Sequence, residues 1–348
     1  MANKAVSPDD THAGFNARVR AKNLVGYWMI PNRTDGFREP SPSYSPFLWD
    51  WEALHDALYE AVENIPPEEA IRRFVGCQHP DIEIGTSTNL IVGAQLILAG
   101  ETAPPHRHTM DAVRFVVEGD GEACTVVEGE EFPMGKWDLI TTPNWSWHEH
   151  VNASRRDTIW LDCAVAPLVK NLNISFGEPH QGPHQDRVVP TDWSRRQFGP
   201  LCPREPSYST SSRRPPYRYT WEDASRALGA LARTAGDPCD DLVLHYADPI
   251  TGGPTLMTMD CELRRLRPGF KGRRERHTHA EIYHVLEGTG MTRIGDRNFD
   301  WTQGDTFVVP LWTWHDHENR SESSATLLTV SDKPVMQALG FDRHEIDR

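Results

Sequence analysis

The strongest constraint on the fold is an internal repeat. Arg107-His108-Thr109 returns as Arg276-His277-Thr278, 169 residues on. Glu118-Gly119-x-Gly121 returns as Glu287-Gly288-x-Gly290 at the same offset. Trp145 to Asn152 (WSWHEHVN) returns as Trp312 to Asn319 (WTWHDHEN), now offset by 167. Self-similarity over such a period means that one structural unit is built twice. The two-residue difference falls between Gly121 and Trp145, so one hairpin is longer in the first copy. A chain of 348 residues leaves each copy enough length for its own core.

The repeated blocks read as strands. From Pro104 to His150, short runs such as FVVEG, ACTVVEG and LITTP are broken by Gly and Pro, and no helical spacing fits. Strand character begins near Thr86 in the first copy and near Leu256 in the second. Each copy has a helical lead-in. Leu54, Leu58 and Val62 recur at helical spacing, and Pro66-Pro67 opens a second predicted helix through Glu68, Ala70, Ile71 and Phe74. Thr220 is the expected N-cap of a helix carrying Ala224, Leu228 and Leu231. The expected organisation is an arm and helices over 1–85, a first β-domain over 86–168, a connector with one helix over 169–255, a second β-domain over 256–335 and a tail over 336–348. Within the connector NLNISF reads as a strand and HQGPHQ as a loop. Residues 1 to about 50 carry Trp28, Phe37, Tyr44, Phe47, Trp49 and Trp51, too many aromatics for a disordered tail. They are expected to lie across a domain or a neighbouring subunit.

Composition narrows the partners. A net charge of −14 disfavours nucleic acid and anionic membrane, though local basic residues can still receive a small anion. Six scattered cysteines (Cys77, Cys124, Cys163, Cys202, Cys239 and Cys261) form no CxxC pair, so they are expected to be reduced and mostly buried. The first residues lack the apolar core of a secretion signal, and nothing approaches 18 apolar residues in a row. A cytoplasmic protein is expected.

His106 and His108 stand at i, i+2, so they share one face of a strand. His148, on a strand that folds back beside them, can complete one face of a metal's coordination sphere. The spacing His106, His108, position 112, Gly119, then Pro143, His148 and Asn152 resembles the cupin family of small jelly-roll barrels. The resemblance implies a mainly β bicupin, two jelly-roll barrels with helical N-terminal and connector segments. Many cupins place a ligating Glu at position 112; here it is Ala112. Three imidazoles would leave three positions of an octahedral ion open, and imidazole suits Fe, Zn, Cu or Ni.

In the second copy, His277 and His279 look like the same pair, but the register puts His277 on His108 and Glu275 on His106. His315 matches His148. Glu275, His277 and His315 therefore stand as a two-histidine, one-carboxylate set, against the plainer reading of a scaffold copy that packs and dimerises. Trp145, Trp147, Trp312 and Trp314 occur in both copies and read as barrel packing.

The blocks PPHRHTMDAVRFVVEG and WDLITTPNWSWHEHVN, with RHTHAEIYHVLEG and GDTFVVPLWTWHDHEN, resemble the gentisate 1,2-dioxygenase family, which includes salicylate, 5-nitrosalicylate and 1-hydroxy-2-naphthoate dioxygenases. The resemblance implies an Fe(II) enzyme, with one iron per chain in the N-terminal cupin. It implies an aromatic acid and O2 as substrates, ring opening between the carboxyl- and hydroxyl-bearing carbons, and a homo-oligomer, commonly a tetramer. Carried over, His106, His108 and His148 are the iron ligands, and Arg114, His150 and Gln95 contact substrate. Arg72 or Arg73 reaches the carboxylate. Strand parity independently turns Arg114 inward with His108, and His150 inward with His148. Met110 replaces the polar residue found in many gentisate-cleaving relatives, which points to a 5-substituted salicylate such as 5-nitrosalicylate, or a bicyclic analogue, beside gentisate itself. The other readings are a Mn or Zn bicupin and a non-catalytic bicupin that binds a small organic acid.

Overall fold

The computed structural model describes residues 12–30, 39–70, 72–198 and 214–347. The chain divides after Ser41 into two units. In the first, Ala13–Arg20 is helical, and Trp28 donates from Nε1 to Asn16 Oδ1 (3.0 Å) while its ring stacks on Phe15. Phe37 and Cys202 lie outside the described residues.

The second unit, Pro42 to Arg348, holds both copies of the repeat as antiparallel two-sheet barrels. In barrel one, the larger sheet runs Arg218–Tyr219, Leu139–Thr142, Ala112–Glu118, Thr158–Ala164, Ile91–Ile97, Arg73–Gly76. Its smaller sheet runs Gly177–Pro179, Thr102–His108, His148–Asn152, Asp120–Val127, Glu130–Gly135. Barrel two repeats this plan, with Glu281–Glu287, Ala325–Ser331 and Asp260–Leu266 central in its larger sheet and His315–Glu318 beside Glu275–His277 in the smaller. This is the mainly β, two-jelly-roll architecture expected from the spacing.

Alternation along the central strands divides the apolar residues between two jobs. On Ala112–Glu118, Val113 and Phe115 join one cluster with Leu161 and Cys163, and that cluster continues into Cys261, Leu263, Ile282 and Val330 of barrel two. The two larger sheets thus meet back to back. The opposite parity, Ala112, Arg114 and Val116, faces barrel one's interior, where Val116 meets Phe132, Met134 and Trp160. Both faces are buried, so the strand reads as nearly continuous hydrophobics, and Arg114 is the exception that asks for a partner.

The barrels exchange strands. Phe47–Trp49, from the lead-in to barrel one, pairs with Thr306–Val309 of barrel two. Arg218–Tyr219, from the lead-in to barrel two, pairs with Leu139–Thr142 of barrel one. Of the aromatic segment expected to lie across a domain, Phe47–Trp49 does so, as a strand. The two following helices are also counterparts. Trp51–Asn64 is capped by Asp50, whose Oδ1 accepts from Ala53 N–H (3.0 Å), and Trp221–Leu231 by Thr220, whose Oγ1 accepts from Asp223 N–H (3.3 Å).

Several expected elements differ. The second lead-in helix covers only Pro67–Ala70 before Arg73–Gly76 becomes an edge strand. Pairing with Ile91–Ile97 outweighs local helical spacing there. Residues 86–90 are a turn, closed by Thr86 N–H to Leu90 O (2.9 Å), and the second copy's strand starts at Asp260, not Leu256. NLNISF is not a strand; it follows an unanticipated helix, Ala166–Asn171, and the strand is Gly177–Pro179. Trp193–Gln197 adds a further short helix to the connector. The five cysteines among the described residues are free and buried. Among the described residues, no helix is long and apolar enough to cross a membrane.

Candidate metal centre and acid-binding pocket

The Thr102–His108 strand carries Pro104 and Pro105, which cannot donate to a ladder. The register slips between Ala103 and His106, and the slip sets His106 directly opposite His148. His106, His108 and His148 then cluster, with ring centroids 4.1 Å (106–148), 4.7 Å (108–148) and 5.3 Å (106–108) apart. One donor atom from each lies within 4.8 Å of the others.

Trp145 helps to close this arrangement. It has a positive φ of 60°, costly for a bulky side chain, and its N–H reaches His108 O at 2.7 Å. Trp312 repeats both features, with φ 55° and a 2.6 Å bond to His277 O. These tryptophans are not interior packing. Arg107 lies 4.5 Å over Trp145 and 4.5 Å over Trp147, and Arg276 lies 4.4 Å over Trp312 and 4.7 Å over Trp314. The RHT and WxWH motifs recur together because the arginine of one is held between the tryptophans of the other.

Hydrogen bonds orient the ligand candidates. His108 Nδ1 faces Met110 O (3.1 Å) and His148 Nδ1 faces Ser146 O (2.9 Å). A carbonyl only accepts, so both rings carry their proton on Nδ1 and present a bare Nε2. His148 is fully buried and its Nε2 has no hydrogen-bond partner. His106 differs: its Nδ1 accepts from Arg72 Nη2 (2.6 Å), so ligation by this ring must compete with that contact. All three rings are held neutral. Burial first, then the charge of Arg72, lowers His106 to about 2. Burial first, then Arg114, lowers His108 to about 4 and holds His148 well below the ordinary value. Three clustered neutral imidazoles, two of them with a bare Nε2, fit a metal cofactor.

Beside them is a buried cation. Arg114 is 2% exposed, and Asp162 lies 3.7 Å from its Nε. Its Nε and Nη1 have no hydrogen-bond partner. A buried guanidinium with unused donors carries a large desolvation cost that an anion can offset. Arg72 stands near it, lowered to about 10 by burial and then by Arg114's charge. Arg73 does not join them, because it pairs with Glu101 (2.5 Å). Gln95 is buried and lines a small cavity of ≈ 20 Å³ with Arg72, Arg73 and Glu101. His150 is buried on the face of His148; Thr125 Oγ1 sits 2.9 Å from Nδ1, and Nε2 is unpartnered. Burial, then Arg114, keeps it neutral. Met110 lies beyond the strand end, half-buried, packed on the core and lining an open groove of ≈ 470 Å³ with His106, His108 and Phe176.

In barrel two the sequence reading passed over a residue. The cluster there is His277, Glu281 and His315. Glu281 stands at the repeat position of Ala112, so the offset of 169 alone would have found it. Glu275 is set beside the cluster, 3.9 Å from His315 and bonded to His344 (2.7 Å). His279 is outside the triad, as its register requires.

Fold and site together define a bicupin with a three-histidine centre beside a buried, anion-seeking arginine. The cupin domain model matches residues 94–163 and 262–331. The chain is 38% identical over 314 residues to a 5-aminosalicylate 1,2-dioxygenase of Comamonas sp., covering 88% of this chain and 83% of that protein. It is 35% identical to a 1-hydroxy-2-naphthoate 1,2-dioxygenase of Nocardioides sp. (strain KP7), covering 95% and 87%. The crystal structure of salicylate 1,2-dioxygenase from Pseudoaminobacter salicylatoxidans with gentisate superposes with a TM-score of 0.88 at 27% identity, covering 99% and 97%. The chain belongs to the gentisate and salicylate 1,2-dioxygenase family, and it is an aromatic ring-cleaving dioxygenase.

Proposed function

We propose that the protein uses Fe(II), held by His106, His108 and His148, to open a 2-hydroxybenzoate with O2 between the carboxyl- and hydroxyl-bearing carbons. The observation that carries this reading is Arg114, a buried guanidinium with unpartnered donors beside three neutral histidines. A bound Fe(II) ion would supply the Lewis acidity that keeps a chelated phenol ionised, and the redox path between ring and O2. Two such oxygens ortho on one ring make the substrate a chelator, and its carboxylate also suits a guanidinium fork.

The chain's own residues do the rest. Arg114 fixes the carboxylate, and Arg72 is the second cation within reach, while Arg73 is committed to Glu101. His106 would ligate either with the Nδ1 lone pair that Arg72 now holds or, once its proton moves to Nδ1, with Nε2; either way loading the centre would free Arg72 for the carboxylate. His150 offers a bare Nε2 to the phenol proton; its neutral state makes it an acceptor, and substrate charge would offset the field of Arg114 that depresses it. Gln95 can donate from the inner wall.

The 5-substituent, amino, hydroxyl or nitro, is assigned to the groove by Met110, whose apolar, polarizable chain tolerates rings without a hydroxyl there. Phe176, exposed and lining the groove, and exposed Leu172 and Ile174 just before it in the chain support a homo-oligomer, a tetramer by family resemblance, which light scattering would size.

The test is anaerobic loading with Fe(II), then O2 and a panel of salicylate, gentisate, and 5-amino-, 5-nitro- and 5-halosalicylates with 1-hydroxy-2-naphthoate. Oxygen uptake with loss of aromatic absorbance is expected. An iron-loaded protein inert on every member would remove the proposal.

A further inference from the structure

Barrel two is more completely furnished with metal donors than barrel one. The four positions that cupins use fall on His106, His108, Ala112 and His148 in the first copy and on Glu275, His277, Glu281 and His315 in the second. The first copy leaves one position blank; the second fills all four with oxygen or nitrogen donors.

The side chains converge. His277 Nε2 is 3.2 Å from Glu281 Oε2, and His315 Nε2 is 3.9 Å from the same oxygen. Glu275 Oε1 approaches His315 Nε2 from the other side at 3.9 Å. Metal bonds of about 2.1 Å place neighbouring donors roughly 3.0–3.4 Å apart, so only small adjustments are needed. The rings are set for ligation. His277 Nδ1 donates to His279 O (2.9 Å) and its Nε2 donates to Glu281 Oε2 (3.2 Å), so ligation would release that proton, while His315 Nδ1 donates to Thr313 O (3.1 Å) and keeps a bare Nε2. His315 is wholly buried, and its Nε2 has no hydrogen-bond partner. Glu281 Oε1 accepts from Arg264 (3.0 Å), and Oε2, the oxygen nearest the two histidines, accepts from the Tyr283 hydroxyl (2.5 Å).

The surrounding charge has the opposite sign to that of barrel one. Arg72, just before the Arg73–Gly76 strand, gives way to Asp240-Asp241 just before Leu242–His245. Tyr283 stands at Arg114's position and spends its hydroxyl on Glu281. The buried cation moves to Arg264, at Gln95's position, where it meets Asp240 (3.1 Å), Glu262 (2.9 Å) and Glu281. Arg264 meets three carboxylates, and Glu275 adds a fourth beside the cluster, with His344 on its other oxygen. A divalent cation offsets that excess, whereas a carboxylate substrate would add to it.

The geometry points to a second metal centre in barrel two: a divalent cation of the Mn2+, Fe2+ or Zn2+ class, held by His277, Glu281 and His315 with Glu275 as fourth donor. It is a closed site that takes no aromatic acid. The chain then binds two ions by different logics, one left open for substrate and one filled by protein.

The test is metal content per chain. Protein grown with Mn2+ and Fe2+ supplied is measured by plasma mass spectrometry. Two equivalents are expected in the native chain, one in Glu281→Gln, one in His106→Ala and none in the double variant. Should Glu281→Gln fail to fold, the His106→Ala protein stripped of metal and titrated with Mn2+ decides the matter by its EPR signal. One tightly bound equivalent supports the site. No bound Mn2+ in that protein, or a single native equivalent lost entirely with His106→Ala, overturns it.

Discussion

The two barrels share strand order, tryptophan clamp and bulk, yet they treat buried charge in opposite ways. In barrel one Arg114 faces inward with unused donors, and Ala112 removes the carboxylate that would have satisfied it. In barrel two the equivalent positions are Tyr283 and Glu281, and the cation has moved across the sheet to Arg264, where protein carboxylates surround it. One interior is left electrostatically unfinished and the other is closed. A duplicated scaffold thus comes to hold two interiors of opposite electrostatic character through the placement of a few charges, with the strand order unchanged.

Removing a barrel-one ligand should have the largest effect. His148→Ala is expected to lose tight Fe(II) binding and to lower turnover by more than ~100-fold, since loss of a mere outer partner of a metal ligand costs about 10- to 100-fold. Dialysis measurements of iron with oxygen uptake check both, and His315→Ala, its barrel-two counterpart, should leave ring cleavage measurable. Making barrel one resemble barrel two comes next. Arg114→Tyr should cut kcat/KM on salicylates by ~10–100-fold, the range for a lost charged hydrogen bond, with Arg114→Lys partly restoring it. Unchanged steady-state kinetics would remove Arg114 from substrate binding.

The two neighbouring arginines separate more finely. Arg72→Ala should raise KM by about 10-fold, a charged contact at the weaker end, while leaving Fe(II) affinity equal or tighter, because His106 no longer shares its lone pair. Arg73→Ala should lower Tm through loss of the Glu101 pair and leave KM alone. The reverse pattern would exchange their roles. Met110→Gln should shift relative kcat/KM toward gentisate by roughly 10-fold, within the range that one pocket contact supplies. Constant ratios across the substrate panel would reduce Met110 to packing.

The smallest effect belongs to a titrating pair that only barrel two contains. His245 and Asp260 bond at 2.6 Å where the first copy has Gly76 and Ile91. The bond to Asp260 raises His245; desolvation opposes, but the bonds from His245 and Thr255 leave Asp260 lowered. The raised histidine contributes fully below its unfolded value of 6.5, and this is lost as pH rises through its folded value. The lowered carboxylate contributes above its unfolded value of 3.8, and this is lost as pH falls. The Tm advantage of the native chain over His245→Gln should therefore peak at mildly acidic pH and shrink on both sides. A pH-independent difference in calorimetry would show that the pair acts by packing alone.

The candidate site was legible where it is local in sequence. His106, His108 and Arg114 follow from parity along neighbouring strands, and His148 and His150 from the recurrence of one octapeptide. Arg72 and Arg73 could not be separated that way, since adjacent residues at a strand edge diverge only when Glu101 and His106 are brought beside them. Met110 sits beyond the strand, where parity no longer places it. That the tryptophan pairs pack on an arginine was not legible locally, because Arg107 lies some forty residues away in the chain. Glu281 is legible from the repeat offset, at the position of Ala112.

By itself, then, the sequence determined that one β-unit is built twice, which copy bears three histidines, and which residues alternate inward. These are properties of period and repetition, and they survive without knowledge of what faces what. Only the tertiary structure decided the exchange of strands between barrels, the different partners of Arg72 and Arg73, and the sign of each interior. Those depend on pairings between segments tens to hundreds of residues apart. The free energy of a buried charge is set by whichever groups the fold brings within a few ångströms of it, not by its neighbours along the chain.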